Sequence, residues 1–161
     1  RRADFPKLVA VVEGGSTRAG SVLNGLNAVP RGCEVVAVHD GARPLVSVDD
    51  IEAVVGKAGE TGAACLVAAV TDTIKSVRGG EIAATLDRDK LRRALTPQAF
   101  KIEILKRAFE LSEVNDSVTD ESYLVEKLGH PVAIVEGSAR NIKITRPEDL
   151  IYAEAMLGRD P

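Results

Sequence analysis

Two periodicities alternate along the first half of this chain. Residues 8–12 and 34–39 read as short buried strands, the second around the apolar core 35–38, and the continuous apolar run at 63–70 suits a strand covered on both faces. Between them, Val22, Leu23, Leu26 and Val29 recur at helical spacing, with Ser16 or Thr17 placed to cap and Pro30 and Gly32 to stop the helix. Ile51, Val54, Val55 and Ala58 form a second such stripe behind Ser47 and Asp50, which have the form of a capping box. Strand, helix, strand, helix, strand predicts βαβ units with right-handed crossovers, hence an α/β fold with a mainly parallel sheet.

The second half breaks that rhythm. Residues 73–77 alternate apolar and polar, Arg78-Gly79-Gly80-Glu81 reads as a turn, and 82–86 return, which together predict a β-hairpin. An isolated hairpin with so little apolar surface is marginal in water, so this one is expected to lean on a second subunit. Thr96-Pro97-Gln98-Ala99-Phe100 is read as a turn into a helix bearing Ile102, Leu105, Ala108 and Phe109. A loop at 115–117 leads to a helix capped by Ser117 or Thr119, carrying Tyr123, Leu124 and Leu128 and stopping at Gly129. Residues 132–135 and 142–144 read as strands, Lys143 facing away from its apolar neighbours. Thr145-Arg146-Pro147-Glu148 reads as a capping box opening a terminal helix. No linker or repeat divides residues 1–161, so a single domain is expected.

Composition narrows the function classes. The chain has 161 residues, a formal net charge of -3 and 3% aromatics, a poor match to general nucleic-acid binding. Its longest apolar run, 63–70, is far short of the roughly 20 residues of a membrane helix, and a cytoplasmic protein is expected. Cys33 and Cys65 have no CxxC partners, and His39 and His130 lack ligand spacing. The sole methionine is Met156, so the chain is expected to be the later part of something longer.

Chemistry concentrates where strand 34–39 runs into His39-Asp40-Gly41-Ala42-Arg43-Pro44. Ligands of open α/β sheets bind past the carboxyl ends of strands, where a carboxylate suits a metal and a guanidinium a phosphate. Asp40 and Arg43 read equally as a strand cap and a surface charge. Thr73, Lys75, Arg88, Thr96, Thr119, Asp120 and Lys143 recur at other loop edges. Each has a plain alternative: helix cap for Thr119, solvated hairpin charge for Lys75 and Arg88, edge-strand lysine for Lys143. Only their joint arrangement favours a phosphate site, and one carboxylate with few protein ligands suits Mg²⁺.

The blocks Gly14-Gly15-Ser16-Thr17-Arg18-Ala19-Gly20-Ser21-Val22, Val38-His39-Asp40-Gly41-Ala42-Arg43-Pro44, Asp72-Thr73-Ile74-Lys75, Leu95-Thr96-Pro97-Gln98, Thr119-Asp120-Glu121 and Asn141-Ile142-Lys143-Ile144-Thr145-Arg146-Pro147-Glu148-Asp149-Leu150, in this order, resemble the 2-C-methyl-D-erythritol 4-phosphate cytidylyltransferases. The resemblance runs from about residue 14 to 157. It implies a three-layer Rossmann-like nucleotidyltransferase fold with a protruding β-arm at 73–90 exchanged in a homodimer. It also implies transfer of a cytidylyl group from CTP to methylerythritol phosphate with Mg²⁺, in non-mevalonate isoprenoid biosynthesis.

Carried onto this sequence, the resemblance places Asp40 at the metal and substrate edge, and Arg43 and Thr73 on the methylerythritol phosphate. Lys143 falls by the α-phosphate and, with Asp40, is the catalytic pair. Gly15, Ser16 and Ser21 fall at the cytidine. Arg88, with Thr119, is expected to complete the acceptor phosphate site across the dimer. The family's glycine-rich triphosphate loop, with its arginine and lysine, has no counterpart before Gly14, so impaired turnover of these residues alone is expected. A ribitol 5-phosphate cytidylyltransferase and an inert dimerisation or binding module are the competing readings.

Overall fold

The structure is a computed structural model that describes residues 5–112 and 118–158. The helix of the first predicted stripe is α1 (Arg18–Asn27), capped by Thr17, whose hydroxyl accepts the Gly20 N–H at 3.0 Å. Strand β1 (Val35–Val38) follows, then α2 (Val48–Thr61), whose N-cap Ser47 accepts the Asp50 N–H as the capping pattern requires. Gly62 ends α2 at φ 92, a left-handed conformation in which a Cβ would also meet the Ile104 and His130 side chains. The continuous apolar run becomes β2 (Ala63–Ala69), buried along nearly its whole length.

Among the described strands, β3 (Lys75–Arg78) and β4 (Glu81–Thr85) pair only with each other, as the predicted hairpin. After a short 3-10 turn come β5 (Arg92–Lys101), α3 (Ile102–Glu110), α4 (Glu121–Lys127), β6 (Ala133–Glu136) and α5 (Pro147–Leu157). The main sheet has the order β1-β5-β2-β6. Strands β2 and β6 are parallel, and β5 runs antiparallel between β1 and β2, so three strands share one direction and one is inverted.

Helices cover both faces, giving three layers. On one face Ala19 and Leu26 of α1, Leu105, Ala108 and Phe109 of α3, and Leu124 and Val125 of α4 pack with Phe100. On the other, Val54 and Ala58 of α2 pack against Ala64, Leu66, Ala68, Leu95 and Ala99. Cys65 lies inside β2, and its burial pushes the thiol up to about 11. Among the described residues no helix is long and apolar enough to cross a membrane.

Five local expectations are corrected. Residues 8–12 form no strand but an exposed segment without regular structure, because a strand needs a hydrogen-bonding neighbour and none of the described strands pairs with it. The supposed turn at 96–100 lies inside β5, where Thr96, Gln98, Ala99 and Phe100 are buried. Residues 142–144 form no strand and are tied to the chain by the Ile144 N–H on the Ala42 carbonyl at 2.8 Å. Helix α4 is capped by Asp120, not Thr119, because its carboxylate accepts the Tyr123 N–H at 2.9 Å. The predicted loop at 115–117 and the candidate cap Ser117 lie outside the described residues. In the terminal box it is Asp149 rather than Glu148 that accepts, from the Thr145 and Arg146 N–H groups.

Candidate functional site

The site begins where β1 ends. The Asp40 N–H donates to the Thr96 hydroxyl at 3.0 Å, and the Arg43 N–H closes a turn on the Asp40 carbonyl at 3.0 Å. The Arg43 guanidinium reaches the Asn141 carbonyl at 2.9 Å, while the buried Asn141 amide donates to the Thr96 carbonyl at 2.8 Å. A strand end, the centre of β5 and the segment bearing Lys143 are thereby tied into one patch.

Within it, Asp40 lies among three cations. Lys143 Nζ is 3.0 Å from its carboxylate, Arg43 Nε 3.4 Å and Arg18 Nη2 3.7 Å. Partial burial of Asp40 opposes its charge, but the hydrogen bond and charge of Lys143, helped by Arg18 and Arg43, hold the carboxyl below the usual carboxylate range. Arg18 is itself held by two parallel bonds to Glu121, at 2.6 and 2.9 Å, and the Glu121 side chain is fully buried. That hydrogen bond raises the Arg18 pKa against the opposing effect of burial. A planar guanidinium gripping one carboxylate while facing another is the arrangement for which arginine, not lysine, is suited.

Gly15 sits beside α1. A Cβ there would lie 2.6 Å from the Gly20 carbonyl carbon and 2.9 Å from the Ser21 nitrogen, so only glycine fits without moving backbone. The Ser21 hydroxyl accepts the Gly15 N–H at 2.9 Å and donates to the Thr17 carbonyl at 3.0 Å, while Ser16 is exposed on the turn. Arg18 opens α1 at this turn and so links it to Asp40.

The structure therefore brings Asp40, Arg43 and Lys143 together, with the turn of Gly15 and Ser16, and Ser21 in the first turn of α1, joined to them through Arg18. Thr73 and Arg88 stay with the hairpin: Thr73 is exposed, and Arg88 donates to the Thr71 carbonyl at 2.7 Å. Thr119 is exposed next to the cap of α4. Arg18 and Glu121 stand within the sequence motifs but carry no spacing signal of their own, and His39 lacks ligand spacing. Glu121 was hidden because a charged residue in a helix's first turn is ordinarily surface chemistry.

Among the described residues no three His, Cys, Asp or Glu side chains gather to hold a metal. Asp40 alone fits an ion that takes its other ligands from phosphate and water, which is the habit of Mg²⁺ and not of a caged Ca²⁺ or Zn²⁺.

A three-layer α/β sheet with a carboxylate and cations clustered past a strand end defines a Rossmann-like fold of the kind that handles phosphorylated ligands. Residues 3–159 match the family described as IspD, 2-C-methyl-D-erythritol 4-phosphate cytidylyltransferase. The protein of that name from Alkaliphilus oremlandii is 46% identical over 155 residues, covering 95% of this chain and 66% of its own length. The crystal structure of the Thermus thermophilus enzyme superposes with a TM-score of 0.79 at 39% identity, over 90% of this chain and 71% of that one. That of the Anaerococcus prevotii 4-diphosphocytidyl-2C-methyl-D-erythritol synthase gives 0.84 at 34%, over 92% and 69%. The chain belongs to the 2-C-methyl-D-erythritol 4-phosphate cytidylyltransferase family, and it spans about two thirds of the length of the relatives it matches.

Proposed function

We propose that the protein transfers the cytidylyl group of CTP to 2-C-methyl-D-erythritol 4-phosphate, releasing pyrophosphate, in the cytoplasm. The observation that carries this reading is the Asp40 carboxylate set among Lys143, Arg43 and Arg18, at 3.0, 3.4 and 3.7 Å. An acceptor phosphate oxygen attacks the α-phosphorus; the new P–O bond forms as the bond to the bridging oxygen breaks, and that electron pair leaves with pyrophosphate. No covalent enzyme intermediate is required, so the protein's task is to hold two polyanions together and offset developing charge.

Arg43 holds the acceptor phosphate. Lys143, whose side chain is 42% exposed, is free to turn from Asp40 toward the α-phosphate. Asp40 would hold Mg²⁺, which supplies charge neutralisation between the phosphates when bound. Gly15, Ser16 and Ser21 contact the cytidine. Thr73 joins Arg43 on the acceptor. Residues 73–90 act as an arm within a single domain, and a homodimer brings Arg88 and Thr119 to the acceptor phosphate. The exposed apolar side chains of Val77 and Ile82 support that arm.

The test is pyrophosphate release from CTP by the full-length gene product, with and without each acceptor. Release that depends on Mg²⁺ and methylerythritol phosphate is expected; equal rates with ribitol 5-phosphate, or with no acceptor, would overturn the assignment. Lys143→Ala should lower kcat by about 100-fold or more, the scale of removing one positioned charge.

A further inference from the structure

We propose that Arg92 is a positioning residue for Arg88, tying the root of the hairpin arm to the main sheet. The inference rests on the function proposed above, which puts Arg88 on the acceptor phosphate across a dimer. The arm leaves the body through two legs, residues 71–74 and 86–91. These are joined to each other: the Leu86 N–H donates to the Ile74 carbonyl at 2.9 Å, and the Arg88 guanidinium to the Thr71 carbonyl at 2.7 Å. Such bonds hold the legs side by side and leave their direction open, because both partners in each belong to the legs.

Arg92 supplies a tie to the body. It opens β5 opposite Ala69 of β2, and Glu136 ends β6 opposite Val67 of the same strand. Positions 67 and 69 are two apart, so Arg92 and Glu136 share one face of the sheet. There the guanidinium reaches across β2, its Nε donating to Glu136 Oε1 at 2.5 Å. Its Nη1 turns back to the Leu91 and Asp89 carbonyls at 2.8 and 3.0 Å, so one planar group grips a β6 carboxylate and the backbone of the second leg. An exposed ion pair contributes little by itself. The two carbonyls matter more, since Arg88–Lys90 is the 3-10 turn that carries Arg88, capped by Asp87 through the Asp89 N–H at 3.2 Å. Holding the carbonyls on either side of Lys90 sets where that turn, and with it the Arg88 side chain, stands relative to the sheet. The bond to Thr71 uses one of the five Arg88 donors, and a phosphate can take others.

Two measurements on the full-length gene product test this, one of them independent of the reaction. In hydrogen exchange read by mass spectrometry, Arg92→Ala and Glu136→Ala should each speed exchange of peptides covering residues 86–91 by about fivefold or more, while peptides from α2 exchange as in wild type. In kinetics, Arg92→Ala should raise KM for methylerythritol phosphate by about 3–10-fold, the scale of a lost hydrogen-bonded tie, and move KM for CTP by less than about twofold. The double variant Arg88→Ala/Arg92→Ala should have the same acceptor KM as Arg88→Ala alone, because Arg92 acts through Arg88. A salt bridge that merely stabilised the fold would add its own loss in that background. Where Arg92→Ala does not fold, Glu136→Ala and its double variant with Arg88→Ala take its place in both experiments. Unchanged exchange at 86–91, or a double variant in which the two losses add, would overturn the inference. A wild-type enzyme inactive on both substrates, with residues 86–91 still loosened in the variants, would instead sink the proposed reaction.

Discussion

Asp40 is held ionised by neighbours, and this couples its charge to folding. Its folded pKa lies below the ordinary value, so its contribution to stability is present above the unfolded value of about 3.9. That contribution is lost as pH falls through the folded value. Asp149 acts in the same sense through the N–H groups of Thr145 and Arg146, but from an exposed position. Urea midpoints followed downward from pH 6 should therefore fall more shallowly in Asp40→Asn than in wild type. A parallel pair of curves would show that the cations around Asp40 do not bias its proton in the folded chain. Gly15 sets a steric condition on the same site. Gly15→Ala places a methyl 2.6 Å from backbone, an overpacking expected to cost about 1–3 kcal/mol in denaturant titration, because no flexible side chain can yield.

Among the elements, α4 is fastened by charge more than by helix propensity. It is a short helix whose first residue, Glu121, is fully buried against Arg18. Glu121→Leu leaves the guanidinium without its bidentate partner. Since the Arg18 side chain is 34% exposed, water recovers part of that loss, and the expected destabilisation stays below the roughly 3–5 kcal/mol of a fully buried pair. The double variant Arg18→Met/Glu121→Leu should be more stable than Glu121→Leu alone, which thermal denaturation would reveal.

The same elements show what the sequence makes legible. Helix α2 and the hairpin were readable because cap, stripe and turn are local signals. Strand β5 was not: Thr96, Pro97 and Gln98 have turn chemistry, and their burial is decided by the strands on either side. Residues 8–12 failed in the opposite way, with strand composition and no described partner. Asp40, Arg43 and Lys143 were legible as separate loop-edge charges and as parts of motifs, but their convergence depends on Asn141 and Thr96, two uncharged residues with no spacing signal. Arg18 and Glu121 are 103 positions apart, beyond the reach of periodicity.

For the molecule as a whole, the hairpin is the part that pairs with none of the other described strands. Strand β4 is exposed throughout, and Val77 and Ile82 are 66% and 67% exposed. If the arm is exchanged between subunits, wild type should scatter light as a dimer and Val77→Glu/Ile82→Glu as a monomer with weakened acceptor binding. A variant of unchanged mass would remove the arm from assembly.

The two cysteines offer a clock for the opening of the sheet. Cys33 is exposed, whereas Cys65 is enclosed in β2 with its thiol pushed up to about 11. A thiol reagent at neutral pH should therefore modify the native chain once, at Cys33, and reach Cys65 only in molecules whose central strand has come apart. The slow second modification then counts how often the strand that organises both helical layers lets go.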